Sequence, residues 1–482
     1  MSHLPRPPRA LAVVAALTLG ACAAVGPDFK PPATPEGPAA AGYAMSGDPT
    51  PATLALSPQV RAAGPWWQAL GSPALDQTVR LALSDSPTLA EADATLARAR
   101  AKTDAAAGRR LPEIEGNASL LRKRVNTQAL GFSGFPSPTV TLYSIGTDVT
   151  YDLDLFGGRR RAVERAAAAA EAAQRRADAA YLTLSGQVAL QAIRVAGLRA
   201  EIAALRQVAD DDRRVVDLVR RAEKAGGEAP AAIVQADAQL AEDEALLPPL
   251  LRELDAARHQ LAVLSGKAPA IWAAPDFELA DFAAPTSVPV SLPSELVRQR
   301  PDIRAAEADL HAATAAVGVA TARLYPDISL TAAFAQTTQH PRDIFNYSAS
   351  GWAFGPELTA PIFNGGALRA ERRGAEADAR VALARYQQTV LKAFGEVSDA
   401  LSAIARDDDA LAAQRRAAAS AEANARNAQS AYRLGGGALM QVVDAQRTLS
   451  RVRRGLAQAE AQRLADLVRL FTATAADWRT PT

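Results

Sequence analysis

The chain has 482 residues, and its 53 Lys and Arg are balanced by 52 Asp and Glu, which excludes the basic excess or stripe of a nucleic-acid binder. Of its residues 49% are hydrophobic but only 5% aromatic, an Ala-rich, charge-rich composition that points to long helices rather than a bulky core. Beyond the N-terminus no run of about 18 apolar residues appears, so no transmembrane helix is available.

The chain opens on MSHLPRPPRALAVVAALTLGAC. Arg6 and Arg9 precede an apolar stretch and then small residues, the layout of a secretory signal over 1–21. Leu19-Gly20-Ala21-Cys22 looks like a lipobox, which implies cleavage before Cys22 and acylation of that residue; the alternative is an ordinary signal peptide with an incidental cysteine. Ala23 behind it, rather than Asp, fits the bacterial sorting pattern for the outer membrane. Cys22 is the single cysteine, so no disulfide framework is available. Over 22–64, beginning VGPDFKPPATPEGPAAAG, the Pro and Gly content reads as an extended linker.

Two halves follow, 65–264 and 294–474, related as a tandem duplication. Pro87 and Pro112 correspond to Pro301 and Pro326, both pairs 214 positions apart. KAGGEAPAAIVQADAQL echoes RLGGGALMQVVDAQRTL, with Gly226 against Gly435. Pro87 and Pro301 suit the first position of a helix. Each half then reads as helix, two strands, a very long helix, a tight turn and another long helix. The strands are predicted over 113–125, 140–156, 327–338 and 348–363, the helices over 159–224, 230–264, 367–433 and 439–471. The longest would span about 100 Å at 1.5 Å per residue. Gly186, Gly197 and Gly395 are candidate bends. A Pro-rich segment, 265–293, joins the halves, and 475–482 is a short tail.

Period two marks the strands. Ile114, Ala118 and Leu120 alternate with Glu113, Glu115 and Asn117; Tyr143, Ile145, Val149 and Tyr151 with Asp148, Asp152 and Asp154; Ile328, Leu330 and Phe334 with Asp327; Trp352, Phe354 and Leu358 with Glu357. A membrane barrel strand needs about 9–11 such residues. A soluble sheet over a core shows the same alternation, and the secretory signal and lipobox favour the barrel. Four strands cannot close one, since known barrels start at about eight, and lipid tolerates no open edge. Several copies must therefore share a ring. LRKRVNTQALGFSGFPSPT and QTTQHPRDIFNYS read as outward loops. At Gly157-Gly158 and Gly365-Gly366 period two gives way to 3.6.

LGAC, VGPDFKPP, PWWQALGSPALDQTV, LFGG, PIFNGGALRA and VVDAQRTL, in this order, resemble the TolC-like outer membrane factors, and among them the OprM/NodT-type efflux lipoproteins. The resemblance implies an α+β membrane protein working as a homotrimer. Four strands per chain would make a twelve-stranded transmembrane β-barrel in outer membrane lipid, joined to a long α-helical periplasmic barrel, with 265–293 in an equatorial region. A periplasmic adaptor and an inner membrane pump of the RND type would feed the duct, which exports small molecules such as drugs. Type I protein secretion and heavy-metal efflux stay open, and a trimeric stalk or adhesin is the reading from a different class.

The resemblance also places sites. Gly226, Gly227, Arg433, Gly435 and Gly436 fall at tips that dock the adaptor, although glycine there also ends a helix. Asp444 matches an aspartate ring at the periplasmic gate, and Gln441 stands where some members carry a second acid, so a single acidic ring is implied. By spacing alone Asp444 is a solvated helical residue. Glu113, Glu115, Asp148, Asp152, Asp154, Asp327 and Glu357 would face the lumen and favour cations, or merely keep it wet. Arg159, Arg160 and Arg161 stand at a helix N-terminus, where positive charge is mildly unfavourable. A lipid headgroup, an acidic neighbour or plain solvation would each account for them.

Catalytic signatures are absent. His3, His259, His311 and His340 are scattered, no metal-ligand spacing occurs, and no phosphate-binding or nucleophile motif is found. DDDRR at 210–214 and RDDD at 406–409 read as a wet helical face. No enzyme, metal or cofactor is expected.

Overall fold

The computed structural model describes residues 24–33, isolated positions between 43 and 56, 65–131, 134, 136–285, 287–288 and 293–474. Cys22, the signal segment, most of the linker and the tail lie outside these residues. In the first half, α1 (Pro73–Asp85) and α2 (Pro87–Gly108) lead to β1 (Glu113–Arg124) and β2 (Thr139–Asp152). Then come α3 (Gly158–Lys224), α4 (Pro230–Ala245) and α5 (Leu247–Leu264). The second half repeats the order with α6 (Pro293–Gln299), α7 (Pro301–Ala322), β3 (Asp327–Thr338), β4 (Ser350–Thr359), α8 (Ala367–Arg433) and α9 (Leu439–Ala473).

Proline punctuates both halves. Pro87 and Pro301, which lack an N–H, separate α1 from α2 and α6 from α7. One helix is divided where the sequence-based expectation has it continuous. The helix predicted over 230–264 breaks at Leu246, because neither Pro248 nor Pro249 can donate to the helical ladder. Its counterpart α9 has no proline and runs unbroken for 35 residues.

The chain divides into two compact units. The first holds the described residues of 1–32, 95–174 and 305–386 and contains a four-stranded antiparallel sheet in the order β1-β2-β3-β4. Each half contributes a hairpin, and the β2–β3 ladder, from Tyr143 opposite Thr338 to Asp152 opposite Ser329, joins them. Two strands end earlier than predicted, β2 at Asp152 and β4 at Thr359. Arg122, Lys123 and Arg124, where the strand predicted over 113–125 overlaps the predicted loop, continue β1 opposite Thr141, Val140 and Thr139.

The second unit holds the described residues of 33–94, 175–304 and 387–482, with its core on α3, α9 and the Trp66-Trp67 turn. Trp66 is fully buried, stacks on Phe471 with centroids 5.7 Å apart and donates through Nε1 to the Ser185 hydroxyl at 3.3 Å. Trp67 donates to Asp76 at 2.9 Å, in the first turn of α1, whose N-terminus the Ser72 side chain caps. Gly186 and Gly197 lie within the continuous α3. A Cβ at Gly186 would fall 2.6 Å from Thr472 Cγ2, and one at Gly197 2.7 Å from the Ala461 Cβ, so both let α9 approach α3.

Arg300, just before α7, holds several elements together. Its buried guanidinium donates to Asp302 at 2.7 Å, to Glu396 of α8 at 2.7 Å and to the Ala473 carbonyl at the end of α9 at 3.0 Å. Removing the largest buried side chain is the most direct test of this core. Trp66→Ala is expected to cost about 3–5 kcal/mol, seen as a lower midpoint for loss of the helical circular dichroism signal on heating.

Candidate channel wall, strand-helix junction and helix tips

Cross-strand partners share a face of a sheet, so the register sorts the strand residues. Glu113 lies opposite Thr150, Glu115 opposite Asp148, Asp148 opposite Ala333, and Asp152 and Glu357 both opposite Ser329. Glu113, Glu115, Asp148, Asp152, Asp327 and Glu357 thus share one face with small and hydroxyl residues. The other face carries Ile114, Leu120, Tyr143, Val149, Leu330, Phe334, Trp352, Phe354 and Leu358. On that face Ile114 is 70%, Trp352 77% and Phe354 71% exposed. Large apolar groups left open over a whole sheet face mark a surface made for an apolar medium or partner.

Asp154 is not part of that polar face. It lies beyond β2 with a φ of 46°, a left-handed conformation that costs a residue with a Cβ about 1–2 kcal/mol. From there Oδ1 accepts the Arg159 N–H at 2.8 Å and Oδ2 the Arg160 N–H at 2.9 Å. The carboxylate therefore satisfies two of the open donors at the start of α3 and offsets its dipole. Gly157 must be glycine twice over. Its φ is 72°, and a Cβ there would fall 2.5 Å from that of Ala24.

The arginine run finds acidic neighbours within the chain. Arg159 pairs with Asp152, and Arg160 lies 3.5 Å from Asp154. Arg161 is buried and donates to Asp28 at 2.6 Å, to Glu164 at 2.7 Å and to the Val25 carbonyl at 3.2 Å. His311 lies 3.0 Å from the second Glu164 oxygen and stacks on Phe29, their centroids 4.4 Å apart. Burial opposes ionisation of Glu164, but the Arg161 and His311 hydrogen bonds outweigh it and hold its carboxyl below the ordinary value. Residues 24–29 are thereby fastened beside the junction, where Val25 also donates to the Phe156 carbonyl at 3.0 Å. The second junction is built differently. The Asn364 side chain accepts the Gly366 N–H at 3.2 Å, and Gly365 and Gly366 take φ values of 60° and 85° with open space around them.

The helix tips repeat one motif. Gly226 and Gly435 adopt φ values of 76° and 77°. Gly227 donates to Ala222 and Gly436 to Ala431, each at 2.9 Å, the hydrogen-bond pattern that closes a helix C-terminus around a left-handed residue. Among the described residues no atom lies within 4 Å of a Cβ built at Gly226 or Gly435, whereas one at Gly437 would fall 3.1 Å from Ala431 Cβ. The cap alone accounts for the first two within the chain, and close approach falls on Gly437, which the sequence did not single out. Arg433 is exposed and its side chain donates to Ser430 at 3.3 Å. Between the tips, burial and then the Glu228 carboxylate push the Tyr432 phenol up to about 12. Gln441 and Asp444 are both exposed, three residues apart on one face of α9, opposite buried Val442 and Val443.

The acid runs read as a wet face are partly buried. Asp212 packs against Asp243 of α4, and burial first, then that neighbour, pushes its carboxyl up to about 8. Asp407 of α8 meets Asp466 of α9, and burial and this neighbour raise it to about 7. Asp408 pairs with Arg463 at 2.7 Å. The correction arises because α4 and α9 cover sides of α3 and α8 that a single-helix pattern leaves open.

A family model described as outer membrane efflux protein matches residues 78–267 and 292–476. The chain is 30% identical over 418 residues to the pyoverdine export outer membrane protein OpmQ of Pseudomonas aeruginosa, covering 86% of this chain and 87% of that one. It is 29% identical over 476 residues to nodulation protein T of Rhizobium leguminosarum bv. viciae, with coverage of 98% and 94%. The solved outer-membrane channel OprN superposes with a TM-score of 0.85 at 30% identity, over 94% of this chain and 99% of that one.

Two outcomes are expected. Asp154→Ala should lose about 1–2 kcal/mol through the missing cap, and Asp154→Asn much less, because Asn keeps an acceptor and tolerates left-handed backbone; thermal melting of the two variants compares them. The carboxyls of Asp212 and Asp407 titrate higher in the folded chain than when free, so the fold retains their protons. That contribution is complete at acid pH and is lost as pH rises through about 7 and then about 8. The melting temperature should therefore fall as pH rises above the ordinary carboxylate value of 3.8 and level off beyond about 8, and fall less in the Asp212→Asn, Asp407→Asn double variant.

Proposed function

The chain belongs to the outer membrane efflux protein family, and on that footing we propose that three copies close a twelve-stranded barrel over a helical conduit through which small molecules leave the cell. The observation that carries this reading is the four-stranded sheet, with one exposed apolar face, one acid-lined face and two edges left unpaired among the described residues. A membrane sheet with free edges leaves backbone groups unsatisfied in hydrocarbon, and closure by further copies removes them.

The family consists of outer membrane channels with a periplasmic extension, which act as trimers and as exit ducts of tripartite systems with an adaptor and an inner membrane pump. For this chain we assign the finer parts as follows. Glu113, Glu115, Asp148, Asp152, Asp327 and Glu357 line the lumen and favour cations. Asp444, with Gln441 on the same exposed face of α9, rings the periplasmic gate. Gly226, Gly227, Arg433, Gly435 and Gly436 present the tips to an adaptor, behind which stands a pump of the RND type. Lipid on Cys22 anchors the N-terminus, and the fastening of residues 24–29 beside the first junction supports that placement. The duct performs no chemistry, and the pump selects the cargo.

Planar-bilayer conductance of the purified protein tests the reading. The wild type should give small currents, and Asp444→Asn larger ones as three like charges leave a narrow ring. No current from either protein would overturn the duct, and equal currents would remove Asp444 from the gate.

A further inference from the structure

We propose that Asp212 of α3 and Asp243 of α4 form a single-proton latch that holds α4 against α3 and α9, and that loss of the proton releases α4. Its consequence for the gate rests on the reading of the tips given above; the latch itself does not.

The geometry leaves little alternative. Asp212 and Asp243 are only 3% and 4% exposed. Each oxygen of Asp243 accepts one hydrogen bond, Oδ2 from the Gln239 amide at 2.7 Å and Oδ1 from the Ser450 hydroxyl of α9 at 3.0 Å, and keeps a lone pair for a further donor. Asp212 lies within hydrogen-bonding reach of Asp243, yet its Oδ2 is buried without a donor. Two ionised carboxylates in this position would repel each other in a poorly solvated site, and one of them would lack any partner. With one proton between them, Asp212 donates to Asp243 and both are satisfied. A strong hydrogen bond then crosses from α3 to α4, and Ser450 extends it to α9.

The surrounding charges do not neutralise the pair. Arg213 and Asp211 on α3, Glu242 and Glu244 on α4, Arg447 and Arg453 on α9, and Glu422 on α8 lie around it. Arg213 is taken by Glu244 at 2.7 Å, Arg447 by Glu242 at 3.2 Å, and Arg453 by Glu422 at 3.2 Å and Asp211 at 3.7 Å. Among the described residues none of these cations bridges to Asp212 or Asp243. On the tip side of the pair sits an apolar cluster that includes Val216, Val219, Ala236, Leu439 and Val442. The same three helices therefore meet through apolar contact towards the turn and through the shared proton behind it. A second charge appearing there pushes α4 away from the cluster it closes.

Hydrogen exchange across α4 in the purified full-length protein tests this, with observed rates divided by the chemical rate at each pH. A latch that releases one proton on opening raises the opening constant about tenfold per pH unit below the midpoint, and the rise levels off near 8. Asp212→Asn, whose amide donates to Asp243 at every pH, should give a flat profile. Asp243→Asn, whose amide donates to Asp212, should do the same and serves if the first variant does not fold. The infrared carboxylic-acid band of the wild type at pH 7.5 should be weaker in either variant, what remains coming from Asp407. A flat wild-type profile, a slope that survives in the Asn variants, or an unchanged band would overturn the latch. A steep profile in a protein that never conducts would sink the duct and leave the latch standing, whereas conduction with a flat profile would sink the latch alone.

Discussion

The backbone hydrogen bonds along two edges govern this molecule. β2 and β3 satisfy each other and their hairpin partners, but among the described residues the outer sides of β1 and β4 have no ladder. In water such edges can be solvated; in hydrocarbon each unmade hydrogen bond costs several kcal/mol. The apolar face with Trp352, Phe354 and Ile114 requires an apolar surrounding, and that surrounding requires the edges to be paired. Trimeric closure in the family meets both demands together, and it makes the chain a third of a wall rather than a complete one.

The same constraint explains why the duplication has not stayed symmetric. Both halves must hand a strand to a long helix at the rim of the sheet, and both use a pair of glycines to do so. In the first half the join is reinforced by Asp154, which accepts two helix donors, and by Arg161, which gathers residues 24–29 to the junction. In the second half the Asn364 side chain and the glycines turn the chain. The tips, by contrast, are near copies down to their hydrogen-bond lengths, because a helix C-terminus imposes the same demand wherever it occurs.

Features set by local chemistry were legible in the sequence. Prolines marked helix starts, period two sorted the two sheet faces, and the paired glycines located junctions and tips. What stayed hidden depends on partners distant in the chain. Gly186 looks like a weak point in a helix until Thr472 is brought against it. Asp154 follows the strand's parity but leaves the strand to cap a helix. Asp212 looks solvated until α4 and α9 cover it, and the PWW motif gives no hint that Trp66 will stack on Phe471. Pro248 and Pro249 were the exception, a local signal with a plain meaning that long-range helical pattern overrode. The family resemblance supplied what no local signal could, namely the number of copies and the partners.

Accessibility of the two sheet faces tests the central claim most directly. Cys22 is the single native cysteine and, once lipidated, carries no free thiol, so new cysteines can be read one at a time in the outer membrane with the parent protein as the blank. Cysteines replacing Glu115, Asp148 and Glu357 should react with a water-soluble thiol reagent, and those replacing Ile114, Trp352 and Phe354 only with a lipid-phase one. Aqueous labelling of both sets would contradict a lipid-facing barrel.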